Sequence, residues 1–300
     1  YKLLINTKNT VFLNKDDDFS IEYSKKINSK KLFYTTAYTT DLEWLDLVWK
    51  NYVLEKVDNI PYVKYNFNYV WVWNLDLYSN LIWKENIWYT NIWFVILADL
   101  YQKFYQKDFF SENKSEIKMN FELQNSRFTT FKWINNSILV DWTYNAAPFS
   151  MKTFIENVEV LKRELYSDYK SIYCIWDMRE LGDYTQEEHK KLANFIKDKP
   201  DLIFFVWEST KKYVIPELLE LWFGEEKIRH FDNSKILWEN LADYLLNSDE
   251  KYLILFKWSQ NTIFLEESVK AVLNDKNEVT KLCRQEEYWM NNKNKFFEKE

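Results

Sequence analysis

The sequence predicts an α/β protein whose second half is a doubly wound, Rossmann-like domain. From Ser137 onwards, short apolar runs alternate with longer segments that carry apolar residues at helical spacing. Strands that alternate with helices in this way are typical of a mostly parallel sheet with helices on both faces. A length of 300 residues and a hydrophobic content of 47% suit two domains with substantial cores.

The first half, residues 1–125, has the pattern of an incomplete α/β unit. An aromatic, β-rich stretch over 62–73 and an apolar stripe at helical spacing over 91–107 are its clearest signals. The extended stretch 121–133 leads into the second half, and we expect the hinge between the two domains there. The remaining predicted strands of this half are 11–13 and 31–36.

In the second half, from residue 126, three of the predicted helices have a recognisable start. Pro148 lies at a helix start, Thr185 with Glu188 three residues later has the spacing of a capping box, and Ser234 precedes a further helix. The charged and aromatic tail from Lys281 predicts a surface-packed helix. The predicted strands are 138–141, 171–175, 202–206, 227–231 and 252–257, and the predicted helices are 148–166, 185–197, 211–221, 234–247 and 262–274.

Composition excludes several classes of partner. The net charge of −6, with acidic and basic residues interspersed, gives no electrostatic reason to expect a nucleic acid or an anionic membrane. No apolar run approaches the roughly 20 residues that span a bilayer, and no signal peptide is visible. The two cysteines, Cys174 and Cys283, form no spacing motif, which fits a reducing cytoplasm. We expect a cytoplasmic monomer.

Glycine is scarce and tryptophan abundant, with 2 Gly and 15 Trp where average usage of about 7% would give roughly 21 Gly. Four tryptophans follow apolar strand-like runs, at positions where glycine usually allows a turn or a close approach to a ligand. A gene that uses UGA for glycine, translated with a table that assigns UGA to tryptophan, would give this composition. We therefore expect many of these positions to be glycine in the native protein. The four are Trp142, Trp176, Trp207 and Trp258.

Polar residues follow three of the predicted strands, where open α/β sheets bind ligands. They are Asp141 with 143–145, the segment 177–182, and the segment 257–261. Such residues are also ordinary turn formers, because any doubly wound domain has polar strand ends. His189 is expected on a solvated helix face or in a packing contact rather than as a base, and His230 has no visible partner.

These segments carry a family resemblance. VDWTYNAAPFSM (140–151) resembles the Mur ligase motif DDSYNANPxSM, and IWDMRELGDYTQEEH (175–189) resembles its LGDMxELGxxxxxxH motif. FKWSQNTIFLEESV (256–269) is similar to the family's KGSR segment, and FLNKDD (12–17) resembles its ILNxDD segment. Glycine at Trp176 and Trp258 would improve two of these matches. The nearest subtype is the one that adds D-alanyl-D-alanine.

The resemblance implies an ATP-dependent amide ligase of peptidoglycan precursor synthesis. In this family ATP phosphorylates the carboxylate of a UDP-muramoyl peptide, and the amine of an amino acid or dipeptide attacks the acyl phosphate, with Mg2+ stabilising the phosphoryl charge. By resemblance, Asp141 and Lys257 are the candidate catalytic residues. The other residues implied are Asn14 and Asp17 near the adenine, Arg127 together with Asp141 near the ribose and phosphates, Asn145 near the nucleotide or acceptor, and Asp177, Glu180 and Ser259 together with Lys257 on the acceptor side.

The chain also departs from the family pattern. Trp142 replaces the second Asp of the DD pair, Ala147 replaces the second Asn of YNAN, Gln260 replaces the Arg of KGSR, and Ile87 stands where a family histidine is expected. The glycine-rich P-loop ending in Gly-Lys-Ser/Thr is absent. We therefore expect a C-terminal fragment, with residues 1–125 as part of the central ATP-binding domain, 126–300 as the last domain, and no activity alone. The alternatives are a non-catalytic nucleotide-binding or scaffolding relative, and another ligase of the superfamily such as a polyglutamate-adding enzyme.

Overall fold

The fold was obtained as a computed structural model, which describes residues 9–35, 45–69, 73–83, 86–107, 116–121, 128–143, 146–257, 266–271, 273 and 275–297. The chain divides into two compact units. One comprises Tyr1–Val57 and Pro61–Glu122, and the other comprises Asp58–Ile60 and Leu123–Glu300.

The first unit contains two small sheets and a long helix. Strands β1 and β2 pair in parallel, and four further strands form a sheet in the order β3-β4-β5-β6, in which β4 and β5 are antiparallel and β5 and β6 parallel. The strands are β1 Thr10–Asn14, β2 Lys30–Tyr34, β3 Leu47–Val57, β4 Ile60–Tyr69, β5 Trp73–Ser79 and β6 Glu116–Met119, and the helices are α1 Asp18–Ser24 and α2 Ile87–Tyr105.

The core of this unit is formed by alternate residues of β4 together with residues of α2. Every second residue of β4, namely Val63, Tyr65 and Phe67, is buried and packs in one cluster with Phe94 and Val95 of α2. The predicted β-rich stretch 62–73 is confirmed as β4, with β5 beginning at its last residue, and the predicted helix 91–107 is confirmed as α2. Strand β3 was not predicted, because its second half is polar and half-exposed and carries no alternation strong enough to detect.

The second unit is built on a six-stranded sheet with the order β11-β10-β9-β12-β8-β7. The five strands from β8 to β12 run parallel, and β7 pairs antiparallel with β8. The strands are β7 Thr129–Lys132, β8 Ile138–Trp142, β9 Lys170–Trp176, β10 Leu202–Val206, β11 Ile228–Phe231 and β12 Tyr252–Lys257. The helices are α3 Pro148–Leu165, α4 Thr185–Ile196, α5 Ile215–Glu220, α6 Ser234–Leu246, α7 Glu266–Ala271 and α8 Glu287–Phe297.

Helices cover both faces of this sheet, which confirms the predicted doubly wound α/β fold. One face packs under α6 and α7, and its core includes Cys174, Phe256 and Leu241. Successive side chains of a strand point to opposite faces of the sheet. Lys257, which follows Phe256, therefore lies on the other face with Phe154 of α3. Cys174 is a buried free thiol whose pKa is raised by desolvation, as expected for an unreactive core cysteine.

Two of the predicted helix starts need correction. Thr185 and Glu188 do not form a capping box: Thr185 is already the first helical residue, and its hydroxyl donates to the Gly182 carbonyl at 2.7 Å. The cap of α6 is Asn233, one residue before Ser234, because its side chain accepts a hydrogen bond from the Ile236 N–H. A shift of one residue is common at helix ends, since several polar side chains near a helix start can accept from its free N–H groups.

The predicted tail helix is present as α8, but it is tied down more firmly than a surface-packed helix. Lys293 is buried and its ammonium lies 3.0 Å from Glu266 and 2.6 Å from Glu267, both in α7. Arg284 reaches the second oxygen of Glu266 at 2.9 Å. This ion network joins the tail to the helix that follows β12.

Candidate functional site

The fold brings the three predicted polar strand ends together at one edge of the sheet. Strand β12 lies between β8 and β9, so that Phe256 is level with Asp141, and Lys257 is level with Trp142 and Ile175. Asp177 directly follows β9. Because neighbouring parallel strands end at the same edge, Asp141, Lys257 and Asp177 occupy one rim, as expected.

Asp141 is buried on the face that packs under α6 and α7. Its Oδ1 accepts a hydrogen bond from the Thr143 N–H at 3.0 Å. Thr129, level with Asp141 on β7, and Thr143 are also buried, and among the described residues neither hydroxyl has a hydrogen-bond partner. Buried polar groups normally have partners, so two such hydroxyls beside a carboxylate indicate a place where a polar ligand can bind.

Lys257 lies at the same rim but on the opposite face. Its ammonium is 4.6 Å from the centre of the Trp142 ring and 5.7 Å from that of Phe154. Desolvation lowers the pKa of Lys257 from 10.5 to about 7, and the negative charge of Asp141 opposes that effect. The amine of Lys257 is therefore poised to change its charge near neutral pH.

Asp177 connects the end of β9 to the segment that follows β10. Its Oδ2 accepts from the Ser209 N–H and its Oδ1 from the Thr210 N–H, both at 2.8 Å. Thr210–Val214 is a π-helical turn that continues into α5, so the carboxylate sits at the positive end of a helix. A positioning role is thus visible for Asp177, in addition to the substrate contact that the family resemblance implies.

Of the remaining predicted residues of this rim, the structure describes one, Glu180. Glu180 is exposed and has a positive φ of 64°, in the loop after β9. Arg127, Asn145 and Ser259 lie outside the described residues.

Asn14 and Asp17 lie in the first unit, at the end of β1 and the start of α1. The Asn14 side chain accepts from the Asp16 N–H at 2.9 Å. Asp17 caps α1, with its Oδ2 accepting from the N–H and the hydroxyl of Ser20, and these hydrogen bonds lower its pKa. Both side chains therefore shape the turn in which the resemblance places an adenine contact.

Both histidines have hydrogen-bond partners that the sequence does not identify. His189 is buried rather than solvated: its Nδ1 donates to the Thr185 carbonyl at 2.7 Å, and its Nε2 accepts from the Met178 N–H at 3.1 Å. His230 does have a partner, since its Nε2 lies 2.9 Å from the Trp207 carbonyl. The packing contact that was the other expectation for His189 is thus the one observed.

The described ranges bear on metal and membrane binding. Within them, no group of three or more His, Cys, Asp or Glu side chains is arranged to hold a metal ion. In the same part of the chain, no helix has the length and apolar character required to cross a bilayer.

No family model matches the sequence. Solved structures do match the fold. MurF from Acinetobacter baumannii superposes with a TM-score of 0.62 at 15% identity, covering 89% of this chain and 52% of that one. MurF from Thermotoga maritima, solved in complex with ADP, has a TM-score of 0.50 at 18% identity, covering 93% and 56%.

The fold is that of these Mur ligases. The chain spans about half the length of each of them. At this level of identity the likeness concerns the architecture, which agrees with the α/β prediction.

Proposed function

We propose that this chain is part of an ATP-dependent amide ligase that acts on peptidoglycan precursors, with a UDP-muramoyl peptide and an amino acid or dipeptide as substrates. The observation that carries the proposal is the buried trio Asp141, Thr129 and Thr143 at the carboxyl end of β8, in a fold shared with MurF. Residues 1–125 then correspond to the central ATP-binding domain and 126–300 to the last domain.

The residues at this rim fit a nucleotide. A buried carboxylate with two available hydroxyls suits the hydroxyl groups of a ribose, because both donors and acceptors are present. ATP supplies the phosphoryl group that activates a carboxylate. Mg2+ usually keeps several waters and is held through one or two carboxylates plus substrate phosphates. Asp141 holds and orients the nucleotide, and the buried amine of Lys257, on the opposite face of the same rim, is the candidate cation for the acceptor side.

Nucleotide binding by the 300-residue chain tests this proposal. Titration calorimetry with ADP and Mg2+ should show binding by the wild type and at least tenfold weaker binding by Asp141→Asn, which keeps the acceptor for the Thr143 N–H. Asp249→Asn, an exposed change before the start of β12, is the matched control and should bind as the wild type does. Equal affinity of Asp141→Asn and wild type would overturn the assignment of Asp141.

We further propose that several tryptophans, including Trp207 and Trp222, are glycine in the native protein. Their φ angles are 83° and 62°, in the left-handed region that a bulky side chain rarely adopts. Trp222 follows α5 and the residue is 95% exposed, so the position gains nothing from the side chain. Intact-mass measurement of natively expressed protein decides this: a mass below that of the 15-Trp sequence supports the exchange, and a mass equal to it contradicts the exchange.

A further inference from the structure

Helix α2 carries exposed apolar side chains on the side that faces away from the core of the first unit. Six of the fifteen large apolar side chains that are exposed among the described residues belong to this helix. Five of the six lie on one side of it, because residues three or four apart along a helix share a face. These five define the α2 stripe: Tyr89, Trp93, Leu97, Leu100 and Phe104.

The extent of the α2 stripe indicates a contact surface. A helix that is apolar on two sides is typically covered on both, and the core side of α2 packs through Phe94 and Val95. On the outer side, Phe104 is 79% and Leu97 47% exposed. Since a large aromatic side chain carries about 150–250 Å², the stripe exposes roughly 500 Å². Four of its five members are not tryptophan, so the stripe persists if residue 93 is glycine in the native protein.

The charges of α2 favour contact with an identical surface. The stripe itself contains no charged residue. Beside it, Asp99 and Lys103 form an ion pair with each other at 2.6 Å, so that neither sign is in excess. Such a face offers no charge complementarity to an unlike partner, whereas two copies of it meet without like-charge repulsion.

The spacing of the stripe suits a pair of antiparallel helices. Its members are separated by three or four residues, as in the apolar seam of a coiled coil. In an antiparallel pair, Tyr89 of each copy lies level with Phe104 of the other, and the two copies of Leu97 meet next to the two-fold axis. This arrangement is self-complementary and also opposes the dipoles of the two helices.

We propose that the α2 stripe is the contact surface of a homodimer, in which the α2 helices of two copies pack antiparallel. The two stripes bury of the order of 1,000 Å² together, the lower limit for a specific interface, so the dimer forms in the micromolar range. A dimer replaces the monomer that we expected from the sequence. The proposal is independent of the ligase function, because the stripe includes no residue of the rim.

Sedimentation velocity of the 300-residue chain, from about 1 to about 100 µM, tests the proposal. The wild type should change from monomer to dimer over this range. Leu97→Glu should stay monomeric throughout, because it places two like charges next to the two-fold axis. Leu246→Glu, the same change at an exposed leucine that ends α6, is the matched control and should dimerise as the wild type does.

A charge-swap mixture tests whether the partner is a second copy. Leu97→Lys alone should also stay monomeric, whereas an equimolar mixture of Leu97→Glu and Leu97→Lys should dimerise, since opposite charges then meet. Because Leu97 is half-exposed, both variants should keep the unfolding midpoint of the wild type at low concentration, which verifies that they fold.

A dimer that survives Leu97→Glu, or a mixture that stays monomeric, would overturn the antiparallel α2 contact. A wild type that stays monomeric at every concentration would overturn the homodimer and leave a helix of another polypeptide as the occupant of the stripe.

Discussion

Asp177 illustrates how a strand-end carboxylate can be committed to main-chain donors. Both of its oxygens accept hydrogen bonds from N–H groups of a segment more than 30 residues further along the chain. No local pattern in the sequence reports such a contact, since it depends on β9 and β10 being neighbours. The presence of a polar rim could be predicted from the sequence, but the partners of each rim residue could not, because they come from different strands.

Replacing Asp177 with Ala should destabilise the second unit by roughly 2–4 kcal/mol, because two N–H groups at a helix start lose their acceptor. Asp177→Asn retains one acceptor and should cost less. Urea unfolding measures both free energies. Asp183→Ala, an exposed change in the same loop, serves as the control and should stay within about 0.5 kcal/mol. A neutral Asp177→Ala would show that these hydrogen bonds do not hold the loop.

Lys257 makes the stability of the folded protein depend on pH. Its pKa is about 7 in the folded state and near the ordinary value of 10.5 in the unfolded chain. Between these two values the unfolded state binds more protons, so stability rises with pH across this window. At about 1.4 kcal/mol per pH unit, the full contribution is of the order of 5 kcal/mol.

A comparison of the wild type with Lys257→Met measures the contribution of Lys257 to the pH dependence of stability. The free energy of unfolding of the wild type should increase relative to that of Lys257→Met as the pH is raised from about 7 to 10, measured by urea unfolding at each pH. Other titrating groups are common to both proteins and cancel in the difference. A difference that stays constant with pH would mean that Lys257 remains charged in the folded protein.

At the scale of elements, the spacing and composition of apolar residues in the sequence predicted most strands and helices of the second unit. The strand 202–206 and the strand 252–257 coincide with β10 and β12, because apolar runs bounded by polar or charged residues leave little freedom for their ends. The helix expected over 211–221 instead begins with a π turn at Thr210 and becomes α-helical at Ile215. Its start is set by the long-range bond to Asp177, which sequence periodicity does not report.

The end of α5 provides a test of the glycine hypothesis at one position. The N–H of Trp222 donates to the Leu219 carbonyl and that of Phe223 to the Leu218 carbonyl, the pattern of a Schellman motif, in which glycine is preferred at the position of Trp222. Trp222→Gly should therefore stabilise the protein by about 1 kcal/mol in thermal or urea unfolding.

The same exchange in a helix interior is the control. Trp238 is half-buried within α6, and Trp238→Gly should destabilise because it removes packing and adds a flexible residue to a helix. Destabilisation by Trp222→Gly, comparable with that of Trp238→Gly, would contradict the interpretation of residue 222 as a glycine position.

At the scale of the whole molecule, the fold matches MurF over about half of the MurF length, and the sequence contains no phosphate-binding loop of the form Gly-x4-Gly-Lys-Ser/Thr. Reading every tryptophan as glycine does not create that motif, because none of the Trp-Lys pairs is followed by Ser or Thr. We therefore expect these 300 residues to bind a nucleotide through the Asp141 rim but not to turn over ATP, since nothing in the sequence provides a backbone cradle for the phosphates. A coupled assay for ADP release, with Mg2+, a UDP-muramoyl peptide and an amino acid or dipeptide present, should show no rate above the buffer background. Release that is abolished by Asp141→Asn and retained by Asp249→Asn would instead show that the chain has a complete catalytic site built from other residues.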